Sequence, residues 1–78
     1  MKAYGYNTKN KFVELKEVSL DCSLEELKKI AEFLSYADKL HNSEQCKNGY
    51  CHSHYRDWDK DFKAGTSDLI IITNIDKC

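Results

Sequence analysis

Two histidines one residue apart, His52 and His54, form the densest concentration of reactive side chains in the sequence. On an extended strand, residues i and i+2 project from the same face, so both imidazoles are expected to share a face with Arg56 and Trp58. Imidazoles placed this way could hold a metal or act as a general acid and base. Cys46, Cys51 and His41 could complete a Cys/His zinc shell around them. The four residues between Cys46 and Cys51 make a looser spacing than the usual two-residue knuckle, and no second half repeats it. The alternative is a histidine pair that makes hydrogen bonds at a sheet surface or interface.

A second possibility is nucleophilic chemistry at Cys51 beside His41 or His54. It would need a thiolate next to an imidazole, together with an oxyanion hole. Neither Gly5, Gly49 nor Gly65 sits in a recognisable nucleophile turn, and cysteine is also an ordinary small core residue. Cys22 and Cys78 read as core residues or bystanders. A third cluster is acidic and aromatic, Tyr55-Arg56-Asp57-Trp58-Asp59-Lys60-Asp61-Phe62. Trp, Tyr and Arg are enriched at binding hot spots, and Asp57, Asp59 and Asp61 could steer a basic partner. Equally, Trp58 and Phe62 could close one end of a thin core while the charges stay solvated. The sequence has no EF-hand loop, Walker loop, dinucleotide-binding glycine pattern, H-E-x-x-H or RNA-binding aromatic signature. No cofactor is therefore expected.

These residues must be positioned by a small scaffold. Seventy-eight residues make one domain, 1–78, and a chain of this size has a thin core. Its 41% hydrophobic and 32% charged content belongs to a folded chain rather than a disordered one. The net charge of −1 gives no electropositive excess for nucleic acid or an anionic membrane. No apolar run reaches the ~20 residues of a membrane helix. The N-terminal MKAYGYNTKNK has no apolar h-region, so no secretory signal is read. A cytoplasmic location with all four cysteines reduced is expected.

The one long helical period runs from 23 to 42. Ser23 and Glu26 fit a capping box. Leu27, Ile30, Ala31, Leu34 and Ala37, widened by Leu24, Phe33 and Leu40, predict a single apolar stripe facing the core. Lys28, Lys29, Glu32 and Lys39 are expected on its exposed face. Residues 2–8 predict a weak strand with Tyr4 and Tyr6 on one face, and 7–10 a polar turn. Residues 11–20 predict a second strand, but Val13 and Leu15 fall on the opposite face from Val18 and Leu20. Such a strand is either covered on both sides or bulged near Lys16. Asn48-Gly49 signals a turn. Residues 50–58 predict a third strand and 57–64 a helical turn closed by Gly65. Residues 69–73 (LIIIT) predict a central strand buried on both faces. The expected architecture is α+β, in the order β-β-α-β-short helix-β. One long helix would cover a four-stranded, mostly antiparallel sheet and leave its other face open, with Ile70, Ile72 or Ile71 on it.

Five segments also carry a family resemblance: K-x-Y-G-Y at 2–6, E-L-x-E-V-S-L at 14–20, L-E-E-L-x-K-I-A-x-F-L-x-x-A at 24–37, H-x-H-Y-x-D at 52–57 and S-D-L-I-I at 67–71. In this order the chain resembles the immunity protein 32 family of bacterial polymorphic toxin systems. The resemblance implies a non-enzymatic α+β protein that neutralises a cognate protein toxin by direct binding. It maps the family's H-x-H-x-x-D onto His52, His54 and Asp57, and it leaves Cys46 and Cys51 outside the pattern. The expected partner surface is His52, His54, Arg56, Asp57 and Trp58, with Tyr50 and Tyr55 as second choices. Two other readings remain. One is a zinc module built on Cys46, Cys51, His52 and His54. The other is a homodimeric structural protein that associates through the uncovered sheet face.

Overall fold

A computed structural model describes residues 1–46 and 49–74. Its elements follow the order β1 (Ala3–Tyr6), β2 (Phe12–Leu15), α1 (Leu24–His41), β3 (Tyr50–His54), α2 (Tyr55–Trp58) and β4 (Ile70–Asn74). The α+β class and the element order are as the sequence predicts. The expected four-stranded sheet is replaced by two antiparallel ribbons, β1–β2 and β3–β4.

The first ribbon is a hairpin closed by Asn7, whose side-chain oxygen accepts from the amides of Lys9 and Lys11. Asn10 takes the left-handed conformation at φ 61°, which asparagine tolerates better than most residues. The register pairs Tyr6 with Phe12 and Gly5 with Val13. A Cβ at Gly5 would lie 3.3 Å from a Leu15 methyl, so glycine lets that side chain lie flat across the ribbon. β2 stops at Leu15 and the chain bends at Lys16. The conflicting apolar pattern is thus resolved by ending the strand, with neither a bulge nor a second covered face. Val18 and Leu20 lie exposed in the connection to α1.

α1 begins at the predicted capping box. The Glu26 amide donates to Ser23 Oγ at 3.1 Å, and the Ser23 amide donates to Glu26 Oε1 at 2.9 Å. Its inward face is Phe33, Ala37 and His41, one turn apart, with Ile30 and Leu40 half-buried. This corrects the predicted stripe: Leu24, Leu27, Ala31 and Leu34 are exposed. Strands in a sheet lie about 4.8 Å apart, so a two-stranded ribbon is wide enough to cover only a narrow strip of helix. The strip that wins is the one centred on Phe33. That ring packs edge-on against Tyr55 at 5.4 Å and tilted against Trp58 at 5.7 Å between centroids.

β3 also ends earlier than predicted, at His54, and the helical turn comes at 55–58 instead of 57–64. The Tyr55 amide donates to the Leu69 carbonyl at 2.8 Å and the Asp59 amide to the Tyr55 carbonyl at 2.9 Å, which turns the chain out of the strand. Gly65, with φ 90°, sits in the turn closed by the Thr66 amide on Lys63. β4 is not a central strand buried on both faces. Among the described residues it pairs only with β3; Ile71 is half-buried, while Ile70 and Ile72 point outward. A run of β-branched residues reads the same whether one face is covered or two.

Candidate functional site

The β3–β4 register fixes which side chains share a face. Residues directly opposed across an antiparallel pair project together. His52 opposes Ile72 and His54 opposes Ile70, so these four form the outer face, with Tyr50 beside them. Cys51 opposes Thr73 and Ser53 opposes Ile71, and these four face α1. The outer face is uncovered: Tyr50 is 69% and Ile72 60% exposed. The His52 and His54 rings lie 6.4 Å apart between centroids. As predicted, the open sheet face carries isoleucines, here Ile70 and Ile72.

Asp68 holds the end of this face in place. Its Oδ2 lies 3.0 Å from His54 Nδ1, while Oδ1 accepts from the Arg56 amide at 2.8 Å and from the Leu69 amide at 3.0 Å. One carboxylate therefore orients the histidine and caps the first turn of α2. Burial pushes the Asp68 carboxyl up, but the Arg56 amide, the His54 imidazole and the Leu69 amide outweigh it and hold it below the usual carboxylate value. The sequence offered Asp68 only as part of the S-D-L-I-I segment of the family resemblance, fourteen positions from His54 and with nothing to link the two.

The other predicted surface residues separate at α2. Arg56 and Asp57 are exposed at its turn. Trp58 does not share the histidine face, because the helical turn at Tyr55 rotates it into the body. There it is half-buried and lies 5.9 Å from Tyr55 and 6.4 Å from Tyr36 between ring centroids. Trp58 thus closes one end of the thin core, its other predicted role. Tyr55 is buried.

His41 stands apart from the other two histidines. It is buried on the inner side, with Nδ1 2.8 Å from Thr73 Oγ1 and Nε2 2.9 Å from Ser53 Oγ. A neutral imidazole offers one donor and one acceptor, and each hydroxyl can rotate to complement either. The three side chains tie the last turn of α1 to both strands of the ribbon. They do not form a nucleophile site, since Ser53 is buried and no acid orients the imidazole.

The cysteines fall differently from expectation. Cys46 and Cys51 form a disulfide, with 6.1 Å between their Cα atoms, inside the ordinary range for a bridge. The prediction of four reduced cysteines therefore fails at this pair. Gly49, just before β3, takes a positive φ of 71°. With both sulfurs bonded to each other, neither is a thiolate for zinc or for nucleophilic attack. No group of three or more His, Cys, Asp or Glu able to hold a metal occurs among the described residues. Cys22 is unpaired, and Cys78 lies outside the described residues, as does the Asn48 half of the predicted turn.

A shallow groove of about 320 Å³ lies between the start of α1 and the segment after α2. Lys29 spans it, 3.3 Å from Asp59 and 3.7 Å from Asp61. The hydrogen bond to Asp59 raises the Lys29 pKa, and the Asp61 amide holds the Asp59 carboxyl low. Burial raises the Tyr55 phenol, reinforced by the Asp59 charge. Lys29 is therefore not part of the free charged face predicted for α1, and Asp59 is already neutralised by it. Of the three acidic residues read as steering charges, Asp57 and Asp61 remain exposed.

No helix among the described residues is long and apolar enough to cross a membrane. Compared with family models, with curated proteins and with solved structures, the chain matches none of the three.

Proposed function

We propose that this chain is a non-enzymatic protein-binding module of the immunity type, which neutralises a cognate protein toxin by docking onto it. The carrying observation is the uncovered outer face of β3–β4. It sets Tyr50, His52, Ile70 and Ile72 beside His54, with Arg56 and Asp57 exposed at its end. Aromatic, aliphatic and imidazole groups on one rigid ribbon suit the buried centre of an interface, and the exposed charges suit its rim. The clamp on His54 and α2 keeps that end of the surface preformed, which lowers the ordering cost of binding. The motif resemblance to the immunity family supports a toxin as the partner. Trp58 supports the surface from within.

The test is neutralisation of the toxin encoded beside this chain's gene. Alanine at His52, His54 and Asp57 should weaken protection while circular dichroism stays native. Protection equal to wild type in all three variants would overturn the site. A neighbouring gene with no toxin domain would overturn the immunity reading.

A further inference from the structure

We propose that the exposed face of the β1–β2 hairpin binds single-stranded nucleic acid, with its three aromatic rings stacking on bases and its lysines meeting phosphates. This surface lies on a different ribbon from the β3–β4 outer face and does not depend on the toxin reading.

The first observation is which face of the hairpin is covered. The register sets Tyr4 against Glu14 and Tyr6 against Phe12, so these four side chains share one face. Ala3, Gly5, Val13 and Leu15 share the other, and that face is the half-buried one. Tyr4, Tyr6 and Phe12 are 50%, 73% and 55% exposed. A hairpin built only to bury apolar area would put its largest rings on the covered face.

The second is how the rings lie. Phe12 sits between the two tyrosines, stacked on Tyr4 at 5.3 Å and 13° and tilted against Tyr6 at 5.1 Å and 59°. The rings around Phe33 form a separate group. The hairpin rings thus make one aromatic platform, on a ribbon whose turn is held by Asn7. Every nucleobase has a π-face, so such a platform accepts a single strand by stacking.

The third is charge. The net charge of −1 averages two unlike regions. Residues 1–16 hold four lysines, Lys2, Lys9, Lys11 and Lys16, against one acid, Glu14. Residues 17–78 hold eight basic side chains against twelve acidic ones. Glu14, on the ring face, lies 3.5 Å from Lys2, which offsets its charge. Lys9 and Lys11 are exposed at the turn, beside the Tyr6–Phe12 pair in the chain. The missing electropositive excess is therefore a property of the whole chain and not of this hairpin. A surface both cationic and aromatic is matched by a ligand that is anionic and carries planar rings. A lipid surface fits less well. The tip of the hairpin is Asn7-Thr8-Lys9-Asn10-Lys11, so charged and polar groups would have to enter the bilayer ahead of the rings.

The test is fluorescence anisotropy of fluorescein-labelled oligothymidylate and oligouridylate, each of about a dozen nucleotides, titrated with the full chain at low salt. Binding is expected, with log affinity falling against log salt at a slope of about −2, as roughly three neutralised phosphates require on a single strand. Tyr6→Ala and Phe12→Ala should each weaken binding about ten-fold. The double variant Lys9→Gln, Lys11→Gln should flatten the salt slope. Because loss of a ring could also loosen the hairpin, Tyr6→Trp gives a second reading. It keeps a stacking ring, so affinity should hold or tighten, and bound bases should quench the added indole. No binding at low salt overturns the proposal. So does equal affinity in wild type, Tyr6→Ala and Phe12→Ala, which would leave charge alone at work. Binding to phosphatidylserine vesicles with none to the oligonucleotides overturns it in favour of a membrane surface. A duplex of the same length that binds as tightly as the single strands overturns the stacking of bases.

Discussion

His54 Nδ1 lies 3.0 Å from Asp68 Oδ2, and this contact connects the exposed histidine face to the start of α2. The other oxygen of the same carboxylate takes the amides of Arg56 and Leu69. Asp68→Ala removes both oxygens and all three contacts at once. Loss of a capping carboxylate costs about 1 kcal/mol, and in a domain of this size each kcal/mol lowers Tm by roughly 4–8 °C. Thermal unfolding should show a drop in that range, with broadened His54 resonances in NMR spectra.

The same carboxylate sets an acid limit. The folded-state pKa of Asp68 lies below its unfolded value, so the unfolded chain binds more protons as acid is added. Its stabilising contribution is complete above the unfolded value of about 3.9 and is lost as pH falls through the folded value. Urea midpoints measured downward from pH 5 should fall more steeply for the wild type than for Asp68→Ala. Parallel curves would count against the clamp.

His41 is held by two hydroxyls, and the bond to Ser53 is buried. Ser53→Ala leaves one imidazole nitrogen without its partner in a site too enclosed for easy hydration. Stranding a buried polar group costs about 1–3 kcal/mol. Chemical denaturation should show a loss of this size. A double-mutant cycle with His41→Phe should show strong coupling, because removing both partners removes the stranded atom.

Phe33 is fully buried and touches the Tyr55 and Trp58 rings. Phe→Ala in a core costs about 3–5 kcal/mol, a large share of the stability of a chain with so few buried side chains. Phe33→Ala should therefore be largely unfolded at room temperature by near-UV circular dichroism. Phe33→Leu, which keeps most of the volume, should remain folded.

The Cys46–Cys51 bridge closes a short loop, with a sequence separation of 5. Chain-entropy reasoning gives such a loop about 2 kcal/mol. Reduction with dithiothreitol, or Cys46→Ser with Cys51→Ser, should lower the urea midpoint by a corresponding amount. Thiol titration of the unreduced, unfolded protein should leave this pair unreactive.

The sequence alone determined what short-range chemistry controls. The capping box at Ser23 and Glu26, the hairpin turn at Asn7 and the element order are set by residues three or four positions apart, and all stand in the structure. The placement of His52 and His54 on one strand face follows from period two alone. Tertiary structure decided everything that depends on which surfaces meet. α1 carries more apolar surface than one ribbon can cover, so periodicity could not tell whether the Leu27 and Leu34 side or the Phe33 side would be buried. The run at 69–73 could not report how many of its faces would be covered. Cysteine spacing does not fix pairing, so the disulfide was not legible. Asp68 reaches His54 only because β4 folds back along β3, and a carboxylate fourteen residues away leaves no local pattern for the eye to find. Short-range rules fixed the elements, and the choice among competing apolar faces came from packing.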